Sequence, residues 1–360
     1  MNSATESAPA ARVSAAAYSV TFDDSDPEQV CALWRDGGLA GAGDLARDRA
    51  RYEWFYQRNP QGLADLNLLT VDAQPEPVGF LGIGARRFIL NEREVEAGVL
   101  VDFVVKPSHR SVLPALTLQR RARERALKTK SVVYGLPDVK AVALCKRLQV
   151  TVEHEMQRWV RVIRSRAYLH RKVPAGIAAP LAWFTDALDA ATISLRLTLR
   201  NVSGEWGDRI DSRIDSIWGR VAKAGRAFGV RNQEFLAWRF EEQPGRTYRT
   251  FLVSRKHDLV PLVYFVCERT ESFLVIRDFL NAGTDRDLRS GLLLLSRAAR
   301  RLGVSAISLE VVATESTQRA LRRSQFVRRS HRPFFAVLTD ELSSEAKRCA
   351  WFITPADEDV

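Results

Sequence analysis

A constant spacing runs through this 360-residue chain and limits what it can fold into. Trp34 and Trp218 lie 184 positions apart, as do Trp54 and Trp238, and Pro60 and Pro244. Further along the spacing becomes 176 and holds: Asp102–Phe103 matches Asp278–Phe279, Arg110 matches Arg286, and Gln149–Val150 matches Gln325–Phe326. Chance matches would not keep register over such distances, so the chain reads as two copies of one domain. One difference of eight residues, between Pro60 and Asp102, explains the change of spacing. A hairpin in RRFILNEREVEAG (86–98) would absorb it.

Both copies show the same order of elements. In the first, the strand YSVTFDD precedes the helix DPEQVCALWRDGG, which ends at glycine, and a helix around RDRARYEWFYQRNP, which Pro60 stops. Strands then run through LNLLTVDAQPEPVGFLGIGARRFILN. A strand and helix in VDFVVKPSHRSVLPALTLQRRARERA follow, then SVVYGLP, the helix DVKAVALCKRLQ and a last strand near QRWVRVIR. The second copy repeats this from NQEFLAWRFEEQPG to RPFFAVLTD. The expected layout is a lead at 1–17, a domain at 18–164, a helical connector at 165–200, a domain at 201–340 and a tail at 341–360. The connector carries no chemical motif and reads as a packed linker.

Bulk properties exclude several classes. At 46% hydrophobic the chain can bury a large core. Cys31, Cys145, Cys267 and Cys349 form no C-x-x-C pair, which suits a reducing compartment without disulfides. The five histidines are equally scattered, so no metal site is expected. The first twenty residues lack the basic and apolar regions of a signal peptide. AGIAAPLAWF (175–184) is too short to span a bilayer, and the expected location is the cytoplasm. A net charge of +11 favours anionic partners without choosing among them.

The stretch VDFVVKPSHRSVLPA (101–115) carries the most chemistry. A buried strand gives way to a helix, and Lys106, His109 and Arg110 gather where the helix starts. The first N–H groups of a helix lack partners and its dipole favours negative charge there, so the obvious occupant is an anion. Pro114 suits the first helical turn, which needs no donor at that point, and Ala115 is small enough to admit a ligand close to the backbone.

This element order, with Val105-Lys106-Pro107 and Arg110-Ser111-Val112-Leu113-Pro114-Ala115 at its centre, resembles the GNAT superfamily of N-acetyltransferases. In that family the fourth strand runs into V-x-P and then a glycine-rich turn, Q/R-x-x-G-x-G/A, before a long helix. The resemblance covers both copies, nearly the whole chain outside the termini and connector. It implies an α/β (α+β) chain of two tandem GNAT-like domains, each a mixed, mostly antiparallel sheet flanked by helices. It also implies acetyl-CoA or another acyl-CoA as acyl donor, with the pyrophosphate held by the turn. Where the family has its middle glycine, this chain has Leu113 in one copy and Arg289 in the other. Asp285 and Asp287 would repel a phosphate in the second copy, so the first is expected to bind.

By the same resemblance the donor-binding residues are Phe103, Val104, Val105, Arg110, Ser111, Val112, Leu113, Pro114 and Ala115. Backbone N–H groups near Val104 and Val105 would polarise the thioester carbonyl. Asp102, inside an apolar strand where burial should raise its pKa, is the candidate base, with a structural carboxylate as the bland alternative. Cys145 stands where many members have a tyrosine acid, and Tyr134 is a substitute acid. For both, ordinary core packing is the competing reading. Trp54 and Trp238 would line an acceptor pocket or pack in the core. The run RRARERALKTK (120–130) reads as the wet face of its helix.

The expected activity is therefore acyl transfer from acyl-CoA directly to an amine, on a small molecule or sugar precursor. Two other activities stay open. One is a FemABX-like transferase using aminoacyl-tRNA, though no basic stretch interleaved with aromatics marks a nucleic-acid site. The other is a GNAT-like binding or scaffold protein without turnover.

Overall fold

The computed structural model describes residues 18–22, 26–39, 44–72, 74–137, 141–147, 149–166, 174–198, 200–257 and 259–358. The first half builds β1 (Tyr18–Phe22), α1 (Pro27–Asp36), α2 (Leu45–Tyr52), β2 (Asp65–Val71), β3 (Gln74–Leu90) and β4 (Arg93–Val105). It continues through α3 (Val112–Ala126), β5 (Val132–Gly135), α4 (Val142–Lys146) and β6 (Val152–Val162). Helix α5 (Ala175–Thr198) leads into β7 (Val202–Gly207), α6 (Arg213–Arg220), β8 (Arg226–Gly229) and α7 (Gln233–Phe240). Then come β9 (Tyr248–Arg255), β10 (Pro261–Arg269), β11 (Phe273–Asn281), α8 (Asp285–Arg301), β12 (Ala306–Val311) and α9 (Glu315–Arg323). The chain closes with β13 (Val327–Leu338), α10 (Asp340–Arg348) and β14 (Ala350–Phe352).

Local chemistry sets many of these boundaries. Asp26 caps α1 by accepting from the Glu28 N–H, and Pro27 needs no donor there. The helix ends at Gly37, where a Cβ would sit 1.7 Å from Val104 Cγ2, so only glycine lets α1 close onto β4. After α2 a π turn over Glu53–Gln57 widens the helix, and Trp54, Phe55 and Tyr56 all become buried. Two residues with positive φ, Asn91 and Glu92, turn β3 into β4 in the manner of a tight hairpin.

The strands form one sheet in the order β1-β2-β3-β4-β5-β13-β6-β12-β11-β10-β9-β7. At its middle the halves trade strands. β13, from the second half, lies between β5 and β6, while β6, from the first half, pairs with β12. Each half of the sheet is thus completed by a strand of the other.

The long hairpin adds a second tie. Phe80 pairs with Val104 in the first half and Tyr264 with Leu280 in the second, so the excess of eight residues sits within the β3–β4 hairpin. Its tip pairs with β8, Phe88 opposite Gly229, and β8 also holds β14.

The tail at 341–360 needs correction. Residues 341–358 form most of α10, β14 and a 3-10 turn at Pro355–Asp357, and the segment from Trp351 to Glu358 is buried. Trp351, Phe352, Ile353 and Ala356 join the apolar core, and a buried ion-pair cluster sits beside them. Asp357 meets Arg86 at 2.7 Å and also pairs with Arg231, which in turn bonds Asp278 at 3.0 Å. Tyr264 donates to Asp278 and Thr354 donates to it as well, both at 2.6 Å. Buried charges persist only when paired and hydrogen-bonded in this way. Burial alone would push the Asp357 carboxyl up, but Arg231 and Arg86 outweigh it and hold it below the usual carboxylate range.

Candidate functional site

Strand β4 has parallel pairing with β5 over Ala97–Val99 alone, ending at Val99 opposite Tyr134. β5 stops at Gly135, whereas β4 continues to Val105. Its register with β3 slips between Phe80 and Gly82, which leaves Asp102 and Phe103 in a bulge. Asp102 takes a positive φ of 52° there. The strand edge from Val101 to Val105 therefore leaves β5 and presents backbone groups that β5 does not pair. Val104 and Val105 are buried, and Phe103 is half-buried beside the core under α3.

The bulge is held by its own carboxylate. Arg51 Nη2 donates to Asp102 Oδ1 at 2.7 Å, and the Tyr56 hydroxyl donates to Oδ2 at 2.6 Å. Asp102 is the sequence's candidate base, and in the fold both of its oxygens are engaged, one of them by a guanidinium. Neither partner was visible from the strand alone, because Arg51 and Tyr56 come from the α2 region.

Tyr134 has no proton free for chemistry either. It is fully buried, its hydroxyl donates to the Asp357 carbonyl at 2.7 Å, and burial raises its pKa far above the ordinary tyrosine value. Cys145 is half-buried on α4, the least enclosed of the four free cysteines. Cys31 by contrast is buried, and that burial pushes its thiol up to about 11. Trp54 and Trp238 belong to the core: each indole N–H donates to the other's carbonyl, at 2.9 and 3.0 Å, with rings stacked 5.1 Å apart. They line no acceptor pocket.

The junction after β4 differs from expectation in its cations. Arg110 donates from Nε to the Val105 carbonyl at 3.0 Å and from Nη2 to the Gly37 carbonyl. Lys106 lies 3.6 Å from Glu76 and 3.8 Å from Asp36, and His109 Nδ1 is 3.1 Å from the Tyr18 hydroxyl. These three groups buckle the turn to α1, β1 and β4 rather than standing open to a phosphate. The amides of His109, Arg110 and Ser111 are also bonded back within the turn.

The helix start beyond the turn is open. Ser111 occupies the N-cap position but makes no capping bond. Pro114, third in the helix and buried, has no N–H to offer it. Val112 and Leu113, the first two helical residues, thus present N–H groups with no acceptor within the helix. Their side chains are 57% and 61% exposed, so Leu113 does not fill the space where the family has glycine. Ala115 is half-buried two residues further along.

In the second half the equivalent helix start is capped, beside a cavity of about 270 Å³ whose lining includes Arg220, Arg226, Asn281, Asp285 and Thr317. Thr284 and Asp287 cap α8 reciprocally, and Asp285 accepts from the Ser316 hydroxyl. β11 pairs with β12 only from Phe273 to Ile276, and the gap beyond is filled by the C-terminal segment. There Ile353 bridges Val312, and Thr354 bonds Asp278.

No family model matches the sequence, and no curated protein matches it either. Solved structures do. A protein of Enterococcus faecalis V583 described as a probable N-acyltransferase aligns over 91% of this chain and 74% of its own, with a TM-score of 0.64 at 8% identity. A tandem GNAT protein from the clavulanic acid biosynthesis pathway aligns over 89% and 98%, with a TM-score of 0.53 at 12% identity. Saccharomyces cerevisiae N-myristoyltransferase with bound myristoyl-CoA aligns over 88% and 82%, with a TM-score of 0.52 at 9% identity. The chain has the GNAT fold in tandem. Among the described residues no helix is long and apolar enough to cross a membrane.

Proposed function

We propose that the chain is an acyl-CoA-dependent N-acyltransferase whose first half holds the donor. The observation that carries this reading is the contrast between the halves. One has a diverging strand pair leading to an uncapped helix start, and the other has its helix start capped by Thr284 and Asp287 and its strand gap filled by Ile353 and Thr354. The thioester carbonyl would lie along the free edge at Val104–Val105, where backbone N–H groups stabilise the oxyanion as it forms. A diphosphate would rest on the Val112 and Leu113 amides and the Ser111 hydroxyl, favoured by the α3 dipole. The acyl thioester supplies the electrophilic carbon. An acceptor amine would attack it, forming the C–N bond as the C–S bond breaks, and the proton given up by the nitrogen would pass to the departing thiolate. Acetyl is the acyl group we favour, passed to a small amine-bearing acceptor, and the cytoplasm is the compartment that suits such a reaction.

Binding is tested by titrating the protein with acetyl-CoA and with CoA in a calorimeter, and transfer by release of free thiol over a panel of amines and amino sugars. Absence of heat with both ligands would overturn the reading. Ser111→Asp gives a sharper result. Aspartate is as good an N-cap as serine, so folding should be unaffected, yet its charge sits where the diphosphate would. Binding is expected to weaken at least about tenfold, or about 1.4 kcal/mol. Unchanged affinity would remove the diphosphate from this helix.

Asp102 is assigned a positioning role. Asp102→Asn keeps a residue type that tolerates positive φ. Turnover should fall by less than about tenfold, whereas loss of a general base costs about 10²–10⁴-fold. A loss in that larger range with an unchanged urea midpoint would restore the base.

The engaged state of Asp102 and Tyr134 also favours a second reading, a domain that binds acyl-CoA without turnover. Binding with no transfer across the whole panel would select it.

A further inference from the structure

Helix α5 is packed on one side only. Ala182, Ile193 and Leu197 are buried, and Asp189 accepts from Arg161 at 2.9 Å and from Arg300 at 2.7 Å, which fixes the helix against α8 and the end of β6. The opposite side carries Ile177, Leu181, Phe184, Leu188 and Leu195, with Trp183 beside them, exposed by 38% to 74%. Ala191, also exposed, completes the row. From Ile177 to Leu195 the steps are 4, 3, 4, 3 and 4 residues, the repeat by which one helix seats against another.

We propose that this stripe is the contact through which two copies of the chain associate about a two-fold axis. Area supports that occupant. The six large side chains leave roughly 700 Å² of apolar surface bare, above the roughly 300–600 Å² of the largest patch on an ordinary monomer. A second copy would double the buried area, into the roughly 1,200–2,000 Å² of a standard stable interface. The pattern is self-complementary, as a two-fold contact requires. Thr185, Ala187, Thr192 and Ser194 flank the row, small and uncharged, so these flanks put no charge against a like helix.

Other occupants fit less well. A helix lying on lipid carries Lys and Arg along its polar margin. Arg196 is the single basic residue between Ala175 and Thr198. The first seventeen residues offer Met1 and Val13 as their only large apolar side chains, too few to cover the stripe.

Sedimentation of the full chain at micromolar concentration is expected to give twice the 40.5 kDa of one copy. Leu188→Glu should shift the species to 40.5 kDa, weakening association by at least about 100-fold, with an unchanged circular dichroism spectrum. Phe184→Ser should do the same, which guards against one variant that fails to fold. A wild-type monomer at every concentration tried would overturn the proposal. So would a dimer that survives both substitutions, or a monomer that floats with phosphatidylglycerol-containing vesicles until Leu188 is replaced.

Discussion

Asp357→Ala should lower the stability of the protein by about 3–5 kcal/mol, the usual effect of removing one partner from a buried ion pair. Asp357 lies between Arg86 and Arg231, all three essentially without solvent contact, and its loss leaves two guanidiniums underpaired. A urea titration followed by tryptophan fluorescence reads the change as a shift in midpoint. The same carboxylate gives the acid limb a sign. Its folded pKa lies below the unfolded value of about 3.9, so its contribution is complete above that pH and is lost as pH falls through the lower folded value. Asp357→Asn should therefore flatten the steep part of acid unfolding below about pH 4. A midpoint within experimental error of wild type in Asp357→Ala would mean that the C-terminal segment is not held by this cluster.

Separating the halves should have a larger effect still. Residues 18–164 made alone are expected to lack a cooperative unfolding transition, because β5 would lose β13 on its outer edge and β6 would have neither neighbour. An open, apolar strand edge of that kind associates with other chains. The buried Trp159 on β6 and Phe334 on β13 would both be exposed by the cut. Co-expression of 18–164 with 165–360 should restore a soluble complex that elutes as one species. A monomeric, well-dispersed spectrum from 18–164 alone would show that the strand exchange is dispensable.

The tandem arrangement was legible because tryptophans, prolines and paired aspartates keep a constant spacing, and the excess length had one plausible home in the hairpin. The strand exchange was not. β6 and β13 have the same apolar character, and either would satisfy the edge of β5, so nothing local says which one arrives. The junction after β4 was legible in place but not in role. A cation near a helix start serves an anion or a carbonyl equally well, and Arg110 chose the carbonyls of Val105 and Gly37. Asp102 is a similar case: burial was readable from its strand, whereas its partners Arg51 and Tyr56 depend on how α2 packs. The missed residue with the largest role, Asp357, lay in what reads as a polar end. The one available hint was the apolar run AWFI just before it, long for a loose terminus.

The exchanged strands also set a schedule for biosynthesis. Gly135 pairs with Phe335, about two hundred residues later in the chain. At the roughly 5–20 residues per second of translation, β5 leaves the ribosome about 10–40 s before its partner. For that interval the nascent chain carries a sheet that still lacks the strand β5 pairs with in the complete fold. Assembly is thereby deferred until β13 and the residues around Asp357 emerge, almost together.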